Sequence, residues 1–342
     1  MDMGYMKPNK LIYHPIRMRQ YLEDGNPDPI SVKLYLTEKC NLACDYCVYK
    51  DRISAREMTQ EDFQDITGSL HQMGVRSIVL TGGEPSMHPD YHEMIRYAVS
   101  RHKFDIGMIT NGVLYNGIWN LKWVRFSVDT IRDATYEKIK GKAYLQKVLA
   151  NVEIAIEDKR RYHLDTTIGV QMVVTEDNHR EILEFLEYFS EMDLDYCQIR
   201  PVENARYKTE TINFIWDQLE VARQMEGSSQ TVLTDYKWSE VDNNYKKSYE
   251  GCPGAKFIGA VGVNGDFHIC CTFMNHPDSK YGNLIKDRGP EILKNRDQVL
   301  KKFDYSKCPV GCQGSLINKY LIGIKKIKHR NVIGNIYPLK TW

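Results

Sequence analysis

The chain has 342 residues, 42% of them hydrophobic, and its 46 basic side chains stand against 45 acidic ones for a formal net charge of +1. That length can bury a large core, in one big domain or two, and that balance gives no global sign of a polyanionic partner. No apolar signal-peptide run opens the chain and no segment reaches the roughly 18 apolar residues of a membrane-spanning helix, so the sequence predicts a cytoplasmic protein with no membrane partner.

The first two-thirds alternate between short apolar runs and longer amphipathic ones. "SVKLYLT" (31–37) alternates like a strand. "TQEDFQDITGSLHQMG" (59–74) has helical periodicity, opens on a Thr cap and stops at Gly74. "VRSIVLTGG" (75–83) reads as a strand running into a glycine turn, and "HPDYHEMIRYAVSRH" (88–102) as a helix with Pro89 in its first turn. Strands follow at 104–112 and 123–130, then a mostly helical stretch over 131–160. A strand at 166–175, a helix at 177–192 and a strand at 195–201 complete six β/α repeats. Such alternation predicts a parallel sheet with crossover helices, and six units make an open, partial barrel.

After Pro201 the pattern changes. Residues 203–250 are polar and Tyr-rich with one helical run, "ETINFIWDQLEVARQM". "FIGAVGVNGDFHICCTF" (257–273) reads as a hairpin turning at Asn264-Gly265. The expected fold class is therefore α/β, a partial (β/α)6 barrel with a small C-terminal α+β domain. The boundaries drawn are an N-terminal extension (1–30), the barrel (31–205), a linker or helical segment (206–250), the small domain (251–315) and a tail (316–342). The basic run "KKIKHR" (325–330) reads as a solvated face.

Nine cysteines in a reducing compartment are not a disulfide framework; clustered, they signal metal or redox chemistry. Cys40, Cys44 and Cys47 fall in "TEKCNLACDYCVY" (37–49), directly after the first strand, with C-x3-C-x2-C spacing. Structural zinc wants four N/S ligands, usually in two pairs, whereas three thiolates suit a cubane [4Fe–4S] cluster with one iron left open. "TGGEP" (81–85) follows the second strand: its glycines let backbone approach a ligand, and Glu84 can accept from an ammonium. Asn111, Ser127 with Asp129, and Arg200 end the third, fourth and sixth strands, the edge at which α/β proteins bind ligands.

The cysteine loop, with Tyr46 before its third cysteine and its place after the first barrel strand, resembles the radical S-adenosylmethionine superfamily. The resemblance implies a [4Fe–4S] cluster held by Cys40, Cys44 and Cys47, whose open iron binds S-adenosylmethionine. It also implies a flavodoxin- or ferredoxin-type electron donor. "TGGEP" resembles the family's GGEP element, so Gly82, Gly83 and Glu84 would hold the methionine amino group. Ser127 and Asp129 would bond the cofactor's polar groups, with Tyr46, Asn111 and Arg200 as further cofactor contacts. Val170 or Met172 would wall the adenine.

Five more cysteines lie after residue 250, in "GCPG", "NGDFHICC" and "CPVGC". They resemble the SPASM/twitch extension, which implies an auxiliary [4Fe–4S] cluster on Cys252, Cys270, Cys308 and Cys312. Cys271 is the alternative to Cys270, because neighbouring strand residues point to opposite faces; a zinc site on the same cysteines is the other reading. Together these features predict an enzyme that cleaves S-adenosylmethionine reductively and takes a hydrogen atom from substrate. The outcome would be dehydrogenation, epimerisation or rearrangement of a small molecule: a sugar, cyclitol or nucleotide. Cys197 and Cys271 are the candidate hydrogen-atom donors. Peptide maturation, nucleic-acid base modification and a non-catalytic iron–sulfur protein are the alternatives. Because thirty residues precede the first strand, too few for a leader-recognition domain, a peptide substrate is the less favoured of these.

Overall fold

A computed structural model describes residues 8–50, 56–225, 230–241, 245, 247, 250–274, 276–287, 289–312 and 314–329. The first helix, α1 (Pro15–Glu23), leads into β1 (Ser31–Tyr35). Then come α2 (Gln60–Gln72), β2 (Ser77–Thr81), α3 (Tyr91–His102), β3 (Asp105–Thr110) and β4 (Trp123–Ser127). Helices α4 (Asp133–Lys140) and α5 (Leu145–Arg161) precede β5 (Thr167–Val174), α6 (Ile182–Ser190) and β6 (Tyr196–Pro201). Strands β1 to β6 pair side by side, all parallel, in chain order. This is the partial barrel that the alternation predicts.

Local chemistry accounts for the elements. The Thr59 side chain accepts from the Asp62 N–H and caps α2, which buries Phe63, Ile66, Thr67 and Leu70 along one face. Gly74, at φ +74°, takes the left-handed turn that returns the chain to β2. Pro89 lies ahead of α3 rather than in its first turn, because Asp90 takes the cap position. The stretch over 131–160 is two helices: Gly141, at φ +72°, ends α4. That break serves the site, because the freed carbonyls of Ile139 and Lys140 accept the N–H groups of Asp45 and Ala43 in the cysteine loop.

The second domain does not stand apart. After α7 (Thr209–Ala222), β7 (Gln230–Val232) pairs parallel with β6, so part of the segment drawn as a linker extends the barrel sheet. After α8 (Asp235–Trp238), β8 (Ile258–Val261) pairs parallel with the other side of β1. Strands β9 (Asp266–His268) and β10 (Lys280–Asn283) follow antiparallel, which makes one ten-stranded sheet. Gly265, at φ +80°, makes the predicted turn, but β9 stops at His268, so Cys270 lies just past the return strand. Leu34 of β1 and Val261 of β8 share one hydrophobic core with Phe267 and Tyr281. Helices α9 (Gly289–Lys302) and α10 (Ser315–His329) close the chain's described part; Arg330, the end of the basic run, lies outside it. No helix among the described residues is long and apolar enough to cross a membrane.

Candidate active site

A cavity opens at the carboxyl ends of the parallel strands, lined on one side by Cys40, Cys44 and Cys47. All three are free thiols. Burial pushes the Cys40 thiol up, and pushes Cys44 up to about 11 although the Lys140 ammonium pulls the other way. The Asn111 amide reaches the Cys40 sulfur at 3.8 Å and bonds Asn41 Oδ1 at 2.7 Å, which ties the end of β3 to the cysteine loop.

Gly82, Gly83 and Glu84 border the same cavity. Gly82 sits at φ +117°, where side chains rarely go, and a Cβ on Gly83 would fall 2.1 Å from the Lys39 carbonyl oxygen. Only glycine lets the two loops touch. Glu84 is 2% exposed and accepts four hydrogen bonds: Ser86 N–H (3.1 Å), Ser86 hydroxyl (2.6 Å), Thr110 hydroxyl (2.7 Å) and Asn111 N–H (2.7 Å). Burial raises its pKa and those donors oppose the rise. Glu84 thus locks the turn after β2 to the end of β3, besides facing the cavity.

Tyr46 and Ser127 also line the cavity, but Asp129 does not. Asp129 is fully buried and held by three partners: the Lys140 ammonium, the Tyr46 hydroxyl and the Val173 N–H. This corrects the expectation that Asp129 bonds the cofactor: its oxygens are spent inside the protein. Val170 and Met172 are buried in the core and do not line the cavity, whereas Val173 does.

Arg200 reaches the cavity, as expected, and so, besides Lys140 with its Asp129 partner, do two cations that sequence reasoning missed, Lys33 and Arg125. Both sit inside strands that read as core, so only the direction of their side chains reveals them. Gln171 on β5 was missed for the same reason; it donates to the Ser127 hydroxyl at 3.4 Å, and its carbonyl oxygen has no donor.

The remaining candidates separate cleanly. Cys197 is buried in the hydrophobic core and does not line the cavity, which sets it aside as a hydrogen-atom donor. Cys271 lines the cavity and its sulfur accepts from the Lys33 ammonium at 3.1 Å. Cys270, next along the chain, does not line the cavity; burial pushes its thiol up, and the neighbouring Cys271 and then Cys252 add to the rise. Cys252 in turn couples to Cys308 and Cys312. A Cβ on Gly314 would stand 3.7 Å from both the Cys252 and Cys312 sulfurs, and the Asn318 amide donates to Cys252 at 3.3 Å. Burial pushes Cys308 and Cys312 up to about 11. Of the two adjacent cysteines, Cys271 borders the cavity and Cys270 does not.

Both groups fit iron–sulfur clusters by donor chemistry: soft thiols, partly buried, three in one group and four in the other. Among the described residues no group of three His, Cys, Asp or Glu side chains is placed to hold one metal ion.

The family model for the radical SAM superfamily matches residues 34–189, from β1 to α6. The barrel belongs to the radical SAM superfamily. With that family come a [4Fe–4S] cluster and S-adenosylmethionine as cofactors. Among curated relatives, a GTP 3',8-cyclase of Synechocystis is 29% identical over 51% of this chain, and molybdenum cofactor biosynthesis protein 1 of Drosophila melanogaster is 27% identical over 56%. The chain spans 55% and 36% of those two proteins' lengths. A GTP 3',8-cyclase of Clostridium perfringens is matched more fully, at 27% identity over 81% of this chain and 90% of that one. Among solved structures, Streptococcus suis SuiB bound to S-adenosylmethionine superposes with a TM-score of 0.64 at 16% identity, over 82% of this chain and 69% of that one. Native anSMEcpe with bound AdoMet gives 0.60 at 18%, over 90% and 100%. At such identities the two structures show that the radical SAM fold is shared.

Proposed function

We propose that this chain is a radical S-adenosylmethionine enzyme that removes a hydrogen atom from a small molecule bound in the barrel cavity. The observation that carries this reading is the meeting of three thiols, the Gly82-Gly83-Glu84 turn and the Asn111 end of β3 around one cavity. Cys40, Cys44 and Cys47 would hold the site cluster, three ligands that leave one iron for the cofactor. Glu84, Asn111, Ser127 and Tyr46 border the place of S-adenosylmethionine. When bound, cluster and cofactor supply a 5′-deoxyadenosyl radical after one electron arrives from a flavodoxin- or ferredoxin-type donor.

The chain's own residues orient and shield. The buried Tyr46–Asp129–Lys140 network fixes the cysteine loop, and Tyr35 and Tyr49, edge to face at 5.3 Å, cover the Cys271 side. Cys252, Cys270, Cys308 and Cys312 would close a second [4Fe–4S] cluster with no open iron, which suits electron transfer rather than substrate binding. Cys271, on the cavity lining, would return a hydrogen atom, giving epimerisation or a redox-neutral rearrangement; dehydrogenation would use the second cluster as electron acceptor. The substrate is a sugar, cyclitol or nucleotide, and the relatives named GTP 3',8-cyclase favour the nucleotide.

The test is anaerobic reconstitution with iron and sulfide, then addition of S-adenosylmethionine and a strong reductant, with 5′-deoxyadenosine quantified by mass spectrometry. Wild-type product and none from a Cys40→Ala/Cys44→Ala/Cys47→Ala variant is the expected result. No product from iron-loaded wild type, with the relatives' substrate GTP present, would sink the reading.

A further inference from the structure

The cavity lining carries cations that its carboxylates do not pair. Lys33 on β1, Arg125 on β4 and Arg200 on β6 all line it. Among the described residues none of the three forms a salt bridge with a carboxylate. Arg125 is 9% exposed; one guanidinium nitrogen donates to the Gln198 amide oxygen at 2.8 Å, the Tyr196 side chain is a second, neutral partner, and the guanidinium Nε has none among the described residues. Arg200 gives its Nε to the Pro201 carbonyl at 3.3 Å, and Lys33 meets only the Cys271 sulfur, at 3.1 Å. Arg125 and Arg200 sense each other's charge.

The strands hold this arrangement by design of the register. Gly169 on β5 stands between Arg125 on β4 and Tyr196 on β6. A Cβ there would fall 2.2 Å from the Tyr196 ring, so the glycine leaves the room in which ring and guanidinium lie side by side. An arginine kept this dry is expensive unless a charge answers it.

The cavity's own acids do not answer it. Glu84 has its oxygens taken by four donors, and Glu203 accepts from the Thr272 hydroxyl. S-adenosylmethionine does not answer it either, because its single carboxylate comes with an ammonium and a sulfonium. Building on the radical-enzyme reading, we infer that the substrate is a phosphorylated small molecule whose phosphate group is held by Arg125, Arg200 and Lys33. Two guanidinium forks and a point-charge ammonium are the donors that a tetrahedral, multiply charged oxyanion takes best.

The probe is inorganic pyrophosphate, titrated calorimetrically into reconstituted holoenzyme with S-adenosylmethionine present, beside malonate as a carboxylate dianion. Pyrophosphate should bind, more weakly as salt rises. Arg125→Gln and Arg200→Gln should each weaken it about tenfold or more, with iron content and circular dichroism unchanged. Malonate should bind markedly less well. Absence of pyrophosphate binding, equal binding by both variants, or malonate binding as tightly as pyrophosphate would overturn the inference. Arg200→Gln, at the strand edge, keeps the test decisive if Arg125→Gln fails to fold. Calorimetry needs no cofactor cleavage. A chain that binds pyrophosphate yet makes no 5′-deoxyadenosine keeps the anion site and loses the radical reading; the reverse result does the opposite.

Discussion

Lys140 and Asp129 form an ion pair at 2.5 Å with side chains 1% and 0% exposed, at the root of the cysteine loop. The Lys140 ammonium also reaches the Tyr46 hydroxyl at 3.0 Å and the Ser127 carbonyl at 3.1 Å. Burial works against its charge, but Asp129, Tyr46 and Cys44 outweigh burial and hold its pKa well above the ordinary lysine value. The pair therefore anchors the loop from below while Lys140 and Ile139 carbonyls hold its backbone.

Removing one partner should strand the other. Lys140→Met is expected to cost about 3–5 kcal/mol, because an uncompensated carboxylate is left in the interior. Urea unfolding of the metal-free protein measures this. Adding Asp129→Leu should recover part of the loss, since no charge then remains buried; a double variant less stable than the single one would contradict the account.

Glycine supplies a second test with its own control. Gly83→Ala puts a methyl 2.1 Å from a backbone oxygen that cannot swing aside, so the turn and the cysteine loop must part. S-adenosylmethionine affinity should fall at least about tenfold, read by equilibrium dialysis. Gly68→Ala, inside α2 with nothing within 4 Å of the new carbon, should instead stabilise by about 0.5–1 kcal/mol.

These residues also show what was legible in advance. The six strands, and the cysteine and glycine loops at their ends, could be read because periodicity and glycine turns are local signals. The continuation of the sheet could not. The three-residue strand β7 is too short to carry a pattern, and nothing local says that β8 will lie beside β1, more than two hundred residues away. Lys33, Arg125 and Gln171 were hidden for a different reason. A polar residue in an apolar strand gives its direction only once the register is known. Lys140 was hidden because "KIKGK" at a helix end reads as a solvated cationic terminus. Asp129 was found but misassigned, because Ser-x-Asp does not say which side of the strand faces the ligand.

Cys271 and Cys197 make opposite predictions. In deuterated water, a thiol that returns its hydrogen to substrate leaves one deuterium in the product, as the S–D bond breaks and a C–D bond forms. The resulting thiyl then needs one electron from the reductant and one deuteron from the solvent. For a turned-over substrate, Cys271→Ala should abolish the label while 5′-deoxyadenosine still forms, and Cys197→Ala should leave the label in place. Label retained in Cys271→Ala would remove this cysteine from the chemistry.

Cys270 and Cys271 are neighbours in sequence, so their separation is the sharpest demand the structure makes. Two filled [4Fe–4S] sites amount to about eight iron atoms per chain. Cys271 lines the cavity and accepts from the Lys33 ammonium, whereas Cys270 does not line it. Cys270→Ala should therefore drop the reconstituted protein to about four iron atoms per chain, as should Cys312→Ala. Cys271→Ala should keep about eight, because its sulfur borders the cavity and meets Lys33. Iron and sulfide assays decide this without reference to activity. If Cys271→Ala loses iron and Cys270→Ala does not, the two side chains exchange roles, and the thiol facing the substrate would be Cys270.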